Sequence, residues 1–149
     1  MAWRLVKKIG RGVGLICVPI AFLDGIGQPA FIEGTSMEPT LHGSDSRWWK
    51  NDVVWLRKQF IRPHEKEIFV FISPRDEKQR LIKRISAEPG ELVHWKDSTR
   101  FVVPPHHYWV RADNPKNAID STHFGPVNIG LFEGKVTRVI WPPERWQRL

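Results

Sequence analysis

Ser36 lies in a short segment whose composition favours a tight turn. Gly34 precedes it by two positions and Pro39 follows it by three. Gly34 allows backbone conformations that are closed to other residues, and Pro39 stiffens the turn by fixing its own φ angle. A serine on such a turn presents its hydroxyl while its own backbone N–H points into the same space, where it can donate to an oxyanion. Ser36 is therefore a candidate nucleophile, and the alternative is an ordinary turn serine or helix cap.

Lys83 lies in a predicted strand, and the strand period of two places it on the same face as Leu81 and Ile85. If these two apolar side chains face the core, Lys83 is carried inward with them, and burial lowers the pKa of its ammonium group. A lysine brought toward neutrality can act as a general base, which an arginine cannot do. The alternative is that Lys83 extends to water. The pattern alone does not decide between the two.

A serine and a lysine within hydrogen-bond reach form a dyad that can replace the serine–histidine–aspartate triad. A histidine base is the competing arrangement, but no serine of the chain stands in the Gly-x-Ser-x-Gly pattern of hydrolase nucleophiles. The histidines lack metal-ligand spacing, so the sequence predicts no metal site. The six histidines are His42, His64, His94, His106, His107 and His123.

The composition bounds the class of protein. The chain has 149 residues, which is enough for one domain with a buried core. Its formal charge is +7, but acidic and basic residues are interspersed and no zinc-finger spacing occurs, so we expect no nucleic-acid partner. Cys17 is the only cysteine, which excludes an intrachain disulfide. Trp48 and Trp49 stand in a polar loop predicted for residues 43–50, and we expect them to face a membrane or a partner.

The amino-terminal segment is basic and then apolar. Residues 13–32 contain only Asp24 and Gln28 as strongly polar members, and their length is about the minimum for a helix that crosses a bilayer. We expect a membrane anchor in residues 1–32 and a catalytic β domain in residues 33–149. The alternatives are a core helix and a cleaved signal peptide, and the nearness of Ser36 disfavours the second. The basic residues that would stay on the side of synthesis are Arg4, Lys7, Lys8 and Arg11.

Beyond the anchor, short runs of β-branched and aromatic residues alternate with turn signals, which predicts a mostly-β fold. Breakers such as the proline pair at residues 104–105 separate the runs. No segment has a sustained helical period. The predicted strands are residues 53–56, 68–72, 81–86, 92–95, 101–103, 108–110 and 136–141.

Four segments resemble, in the same order, the sequence boxes of the type I signal peptidase family. Residues 36–41 resemble its nucleophile box, residues 51–54 the strand motif after it and residues 81–85 its lysine box. Its carboxy-terminal box is matched by Asp113-Asn114-Pro115, by Asp120-Ser121 and by residues 124–127. Residues 73–84 and 141–147 resemble the mitochondrial inner membrane branch of that family. The resemblance covers nearly the whole chain.

The resemblance implies twisted antiparallel sheets of the signal-peptidase type, one amino-terminal membrane-anchoring helix and no cofactor. It implies a serine endopeptidase of the mitochondrial inner membrane whose catalytic domain faces the intermembrane space. Its substrates would be precursor polypeptides with cleavable presequences. Its other contacts would be membrane lipid and a related protease subunit in a heterodimer.

The resemblance also assigns roles to residues. Ser36 would be the nucleophile and Lys83 its base. The backbone N–H of Ser36, with Gly34 and Met37, would border the oxyanion and the substrate. The supporting residues would be Asp113, Asp120 and Ser121.

The chain departs from the family pattern at four supporting positions. Gly34 stands where bacterial members have a serine whose hydroxyl is a second oxyanion donor, and Ala118 stands where the family often has a serine that orients the lysine. Ala112 replaces a glycine and Thr122 replaces an arginine. The departures at Gly34 and Ala118 favour the alternative of a non-catalytic stabilising subunit, whereas the retention of both Ser36 and Lys83 favours a protease more strongly.

Overall fold

A computed structural model describes residues 27–58, 62–95 and 99–149. Within these ranges the chain folds mainly into short strands, with a single helical turn and several 3-10 turns. The strands are β1 (Gln28–Phe31), β2 (Val53–Arg57), β3 (Ile68–Ser73), β4 (Asp76–Ala87), β5 (Leu92–Trp95), β6 (Thr99–Val102), β7 (His107–Arg111), β8 (Val127–Asn128), β9 (Phe132–Trp141) and β10 (Gln147–Arg148). The helix is α1 (Ser121–Phe124), and the 3-10 turns are Trp48–Lys50, Pro115–Asn117, Ile129–Leu131 and Pro143–Arg145.

Most of the strands form one sheet. Its order is β1–β2–β9–β3–β4–β7–β8, and β10 pairs with β9 beside this path. All of the pairings are antiparallel, and β5 and β6 form a separate hairpin. Bulges interrupt the register between β2 and β9 and between β4 and β7, and bulges increase the local twist of a sheet. The mostly-β, antiparallel part of the predicted fold class is therefore confirmed.

Each predicted strand is present, but several are longer than their sequence pattern. β4 begins at Asp76, whereas the alternation of apolar residues begins at Leu81. Residues 76–80 are polar and exposed, so they carry no alternation. They are paired because the turn at Pro74 and Arg75 folds them back onto β3, where Asp76 lies opposite Ser73.

The end of the predicted anchor segment belongs to the sheet. Gln28–Phe31 form β1, which pairs with β2 so that Phe31 lies opposite Val53. Pro29 fits there because β1 is an edge strand, which tolerates a residue without an N–H. Hydropathy alone does not separate such a strand from the end of an apolar helix. The β domain therefore starts before the predicted boundary at residue 33.

The proposed anchoring helix itself falls in residues 1–26, which lie outside the described residues. Within the ranges 27–58, 62–95 and 99–149, no helix is long and apolar enough to cross a membrane. The anchor stays a prediction.

The sheet carries a hydrophobic cluster on each face of β3. Ile68 and Val70 pack in the first cluster, and Phe69 and Phe71 pack in the second. This two-sided burial explains why β3 is a continuous apolar run. The first cluster is completed by Ile32, Met37, Leu41, Val54, Leu56, Val136 and Val139, and the second by Ile85, Tyr108, Val110, Val127 and Phe132.

Candidate active site

The turn that carries Ser36 is closed by a pair of glycines. The N–H of Gly34 donates to the carbonyl of Gly43 at 2.8 Å, forming an isolated bridge. Gly34 has a φ of 89°, a conformation that favours glycine. A Cβ on Gly43 would lie 2.8 Å from the backbone of Ile32, so a side chain there would clash. Both glycines are therefore required for the loop to return beside the end of β1.

Apolar side chains hold the turn against the core. Met37 and Leu41 are 1% and 0% exposed and pack in the first cluster, and the N–H of Leu41 donates to the carbonyl of Met37 at 2.9 Å. The Met37 side chain is therefore a packing group, and the role of Met37 beside the oxyanion and the substrate stays a prediction. Neither the Ser36 nor the Met37 N–H donates to an acceptor in the described part of the chain. These two N–H groups are the candidate oxyanion donors.

Lys83 is buried in the middle of β4, with 3% of its surface exposed. Leu81 and Ile85, its neighbours on the predicted face, contact the second cluster, whereas Ile82 contacts the first. The structure thus favours the inward orientation of Lys83 over extension to water. Register with β3 places Phe69 directly opposite Lys83, so the lysine stem lies among apolar side chains.

The Nζ of Lys83 lies 2.9 Å from the Oγ of Ser36. The same nitrogen donates to the carbonyl of Ile82 at 2.8 Å, which fixes its direction. Burial lowers the pKa of Lys83 to about 8, against the opposing pull of the negative charges on Asp120 and Asp113. A large fraction of this amine is consequently neutral at mildly alkaline pH, and a neutral amine at this distance can accept the serine proton.

Asp113 ties the strand of Lys83 to the turn of Ser36. Its carboxylate accepts hydrogen bonds from Arg84 at 2.8 and 2.6 Å and from the hydroxyl of Thr40 at 2.6 Å. Burial alone would raise the pKa of Asp113, but the bonds from Arg84 and Thr40 bring it below its ordinary value. Arg84 follows Lys83 directly in β4, and Thr40 belongs to the Ser36 turn. This bidentate pair therefore sets the two halves of the site relative to each other.

Asn114 fastens the turn at Ser36 itself. Its backbone N–H donates to the carbonyl of Ser36 at 3.0 Å, and its side-chain amide donates to the carbonyl of Thr35 at 3.1 Å. Asn114 and Thr40 were not among the residues predicted to form the site. The signal for Asn114 was its place between Asp113 and Pro115, while nothing in the local sequence singles out Thr40.

Asp120 and Ser121 support the strand beside the site. Asp120 caps α1 by accepting from the N–H and hydroxyl of Thr122, at 2.9 and 2.6 Å. Burial would raise the pKa of Asp120, but these bonds lower it. The Oγ of Ser121 is fully buried and accepts from the N–H of Val110 in β7 at 2.9 Å. Ala118, at the position of the family's lysine-orienting serine, is 7% exposed, and its methyl group makes no hydrogen bond to the amine.

The carboxy-terminal segment reaches back to the same turn. Arg145 donates from Nε and an Nη nitrogen to the carboxylate of Asp52, at 2.8 and 3.0 Å. Asp52 is fully buried and also accepts from the N–H of His42 at 2.8 Å. The carbonyl of Thr40 accepts from Arg145 at 3.3 Å and from Gln147 at 3.4 Å. The loop that contains Ser36 is thus held from both of its ends.

A groove of about 280 Å³ runs between β1 and β4, and its lining includes Ile82, the residue before Lys83, and Glu33, which lies three residues before Ser36. The two strands do not pair with each other, because β1 pairs only with β2, and β7 pairs with β4 only from Arg84 onward. Both strands thus offer free edges along the groove. Ile82, whose carbonyl bonds Lys83, marks the end nearest Ser36. The lining residues are Gln28, Ala30, Phe31, Ile32, Glu33, Leu56, Val70, Arg80, Leu81, Ile82 and Glu133.

The chain is similar to proteases of one family. A family model described as signal peptidase, peptidase S26, matches residues 3–102. Mitochondrial inner membrane protease subunit 2 of Mus musculus is 40% identical, and the alignment covers 99% of this chain and 87% of the relative. Subunit 2 of Homo sapiens is 38% identical, with 98% and 86% covered. Subunit 1 of Mus musculus is 30% identical, with 93% and 84% covered.

A solved structure of signal peptidase I from Enterococcus faecalis is 26% identical to this chain, with a TM-score of 0.45. The superposition covers 52% of this chain and 98% of the Enterococcus faecalis chain. The resemblance inferred from the sequence boxes is confirmed by the family match and the subunit 2 relatives, since both extend over the region that holds Ser36 and Lys83. The chain belongs to the signal peptidase family, peptidase S26.

Proposed function

We propose that the chain is a membrane-anchored serine endopeptidase that removes presequences from precursor proteins with a Ser36–Lys83 dyad. The observation that carries the proposal is the 2.9 Å separation between Nζ of the buried Lys83 and Oγ of Ser36. Lys83 is the only base bonded to this hydroxyl among the described residues. Membership of a peptidase family supports the same reaction class.

In the proposed reaction, neutral Lys83 accepts the Ser36 proton while Oγ attacks the carbonyl carbon of the scissile bond. The backbone N–H of Ser36 donates to the oxyanion, with the N–H of Met37 beside it. Gly34 supplies no hydroxyl, and its N–H is bonded to Gly43, so the second donor of bacterial relatives has no counterpart at that position. Lys83 then passes its proton to the leaving amine. It next activates the water that hydrolyses the acyl-enzyme.

The substrate occupies the groove as an extended strand. Free edges on β1 and β4 can pair with its backbone, and the apolar walls near Ser36 accept small side chains just before the cleaved bond. Ala30 and Ile82 form part of these walls. Two strands border the groove, which suits an extended segment of a precursor.

The site of action follows from the relatives. Proteins similar over nearly the whole chain are subunits 1 and 2 of a mitochondrial inner membrane protease. We infer an inner-membrane location for this chain, with the β domain in the intermembrane space and a related subunit 1 as partner.

A non-catalytic subunit is the second candidate function. The absence of a hydroxyl at Gly34 and at Ala118 favours it, because relatives of the family use side chains at these two positions to assist the oxyanion and the lysine. The bonded geometry of Ser36 and Lys83 favours the catalytic function, since a scaffold would need neither residue.

The pH profile of cleavage tests the catalytic function. We expect kcat/KM to rise with pH along one limb with its midpoint at about 8, because the ammonium of Lys83 must lose its proton to act as a base. The value of kcat/KM rises with pH because the protonated form of Lys83, which predominates below the midpoint, is inactive. An unperturbed lysine would give a midpoint of about 10.4, and a histidine base would give a midpoint of about 6.5.

The measurement uses the full chain together with a related subunit whose own nucleophile has been replaced, on a soluble presequence peptide. Cleavage is then attributable to this chain alone. A midpoint near that of free lysine would place Lys83 in water. Complete absence of cleavage would favour the non-catalytic function instead.

The proposed topology predicts how the protein behaves on extraction. The full chain should stay in the membrane pellet when mitochondria are treated with alkaline carbonate. The β domain should be degraded by added protease once the outer membrane is opened, because the proposed orientation places it in the intermembrane space and the basic flank of residues 1–11 on the opposite, matrix side. Release into the supernatant would contradict the membrane anchor. Protection from the protease would contradict its orientation.

A further inference from the structure

The groove beside the dyad continues past an ion pair into a second cavity. The Nε of Arg80 donates to a carboxylate oxygen of Glu133 at 2.7 Å. Both residues line the groove and also a further cavity of about 310 Å³. Gln28 is shared by the two spaces, and Lys58 lines only the second. The groove and this outer cavity therefore form one path leading away from Ser36.

The position of Arg80 on β4 indicates which residue of a bound substrate strand would lie beside it. Arg80 and Ile82 are two residues apart, so they lie on the same face of the strand with their Cα atoms about 6.6–6.8 Å apart. Ile82 borders the end of the groove beside the dyad. A substrate strand running along β4 thus reaches Arg80 about two residues farther from the cleaved bond than it reaches Ile82.

The charges along this path are not uniform. Glu33 lines the groove near Ser36, whereas Lys58 and Arg80 line the outer cavity, where Glu133 supplies the single negative charge. Arg80 uses Nε for Glu133, and its terminal nitrogens meet no acceptor among the residues that the structure describes. They are available to a carboxylate, for which a guanidinium is well shaped. The outer cavity has an excess of positive charge and an open donor.

We propose that the outer cavity is a subsite for an acidic side chain of the precursor, three to five residues before the cleaved bond. The inference rests on the proposed function, because that function places the residues before the bond in the groove. It adds the chemical class of a substrate residue and names Arg80, with Lys58, as the group that selects it. The acid binds through its carboxylate and stays partly exposed to water.

The test is a set of peptides cleaved by the full chain with the nucleophile-replaced related subunit. The reference peptide has alanines next to the bond and glutamine farther out. Glutamate or lysine then replaces single residues from the second to the sixth before the bond. We expect glutamate to raise kcat/KM about three- to fivefold over glutamine at the favoured position, mainly through KM, as partly exposed charge pairs contribute up to about a fivefold effect.

The position and salt dependence of the effect are part of the expected result. Lysine at the favoured position should lower kcat/KM. Glutamate at the second residue before the bond should give no gain, because that residue lies nearer Glu33. High salt should reduce the preference.

Variants identify the responsible group. Arg80→Gln should bring the glutamate-to-glutamine ratio of kcat/KM close to one, and Arg80→Glu should invert it in favour of lysine. Glu133→Gln should increase the preference for glutamate, because it removes the competing carboxylate. Arg100→Gln, an exposed arginine of β6 that lines neither cavity, is the matched control and should keep the wild-type ratio. Thermal melts confirm that each variant is folded.

Equal kcat/KM for the glutamate, glutamine and lysine peptides at every position would overturn the acidic subsite and leave the proposed function intact. A preference for glutamate that Arg80→Gln and Arg80→Glu leave unchanged would overturn the assignment to Arg80. Failure to cleave even the neutral reference peptide would instead overturn the proposed function, and the subsite with it.

Discussion

Ser36→Ala and Lys83→Ala should each reduce cleavage of a presequence peptide by about 10⁴-fold or more, since each removes one half of the proton transfer that creates the nucleophile. The Nζ–Oγ distance of 2.9 Å means that the lysine amine contacts the serine hydroxyl directly. Lys83→Arg should be equally inactive, because a guanidinium keeps its proton at all accessible pH values. The measurement is kcat/KM with the related subunit's nucleophile replaced.

Folding must be separated from chemistry in these variants. Lys83→Met is the matched control, because it keeps a long apolar stem in a position that is 3% exposed while removing the amine. It should be inactive and should melt at a temperature no lower than the wild-type chain, since no buried charge has to be compensated. Turnover near the wild-type rate by Ser36→Ala or by Lys83→Met would remove that residue from the dyad.

Arg145→Met should lower the free energy of unfolding by about 2–3 kcal/mol, because it leaves the fully buried carboxylate of Asp52 without its cation. The estimate lies below the usual cost of breaking a buried pair since 28% of the Arg145 side chain is exposed, so water reaches part of the site. Urea unfolding measures the change as a shift in midpoint at constant slope.

A double variant and a neighbouring control make this result specific. Asp52→Asn combined with Arg145→Met should be less destabilised than Arg145→Met alone, because no uncompensated charge remains. Arg148→Met changes an exposed arginine of β10 and should alter stability by less than about 0.5 kcal/mol. Equal stability of Arg145→Met and Arg148→Met would mean that the Asp52 pair contributes nothing to the fold.

The two candidate residues of the dyad could be picked out from local sequence, although the pattern left an alternative open for each. Ser36 was marked by the glycine and proline around it, and Lys83 by its place between Leu81 and Ile85 in an alternating strand. Both signals depend on neighbours within three residues, and a strand or turn converts such patterns directly into position. The structure places the two groups within hydrogen-bond distance although 47 residues separate them.

The residues that support the site were harder to predict from the sequence, because each pairs with a residue far away along the chain. Thr40 and Asp113 are 73 residues apart, and Arg145 and Asp52 are 93 apart. No local period relates such polar residues, so their pairing appears only when the sheet brings them together. The start of the β domain at residue 28 was missed for a different reason. β1 is apolar enough to resemble a continuation of the preceding apolar run, and its partner β2 follows only after the loop that contains Ser36.

The two bonds from Arg145 and Gln147 to the carbonyl of Thr40 bear on the order in which the contacts around the Ser36 loop can form. They join residues 105 and 107 positions apart, so they are among the last contacts that a chain emerging from its amino terminus can make. Ser36 leaves the ribosome early, but the two tail bonds to its loop cannot form until residues 145 and 147 have followed. A partly synthesised chain therefore holds the Ser36 loop by its contacts with residues 43, 113 and 114, without the two bonds from its tail.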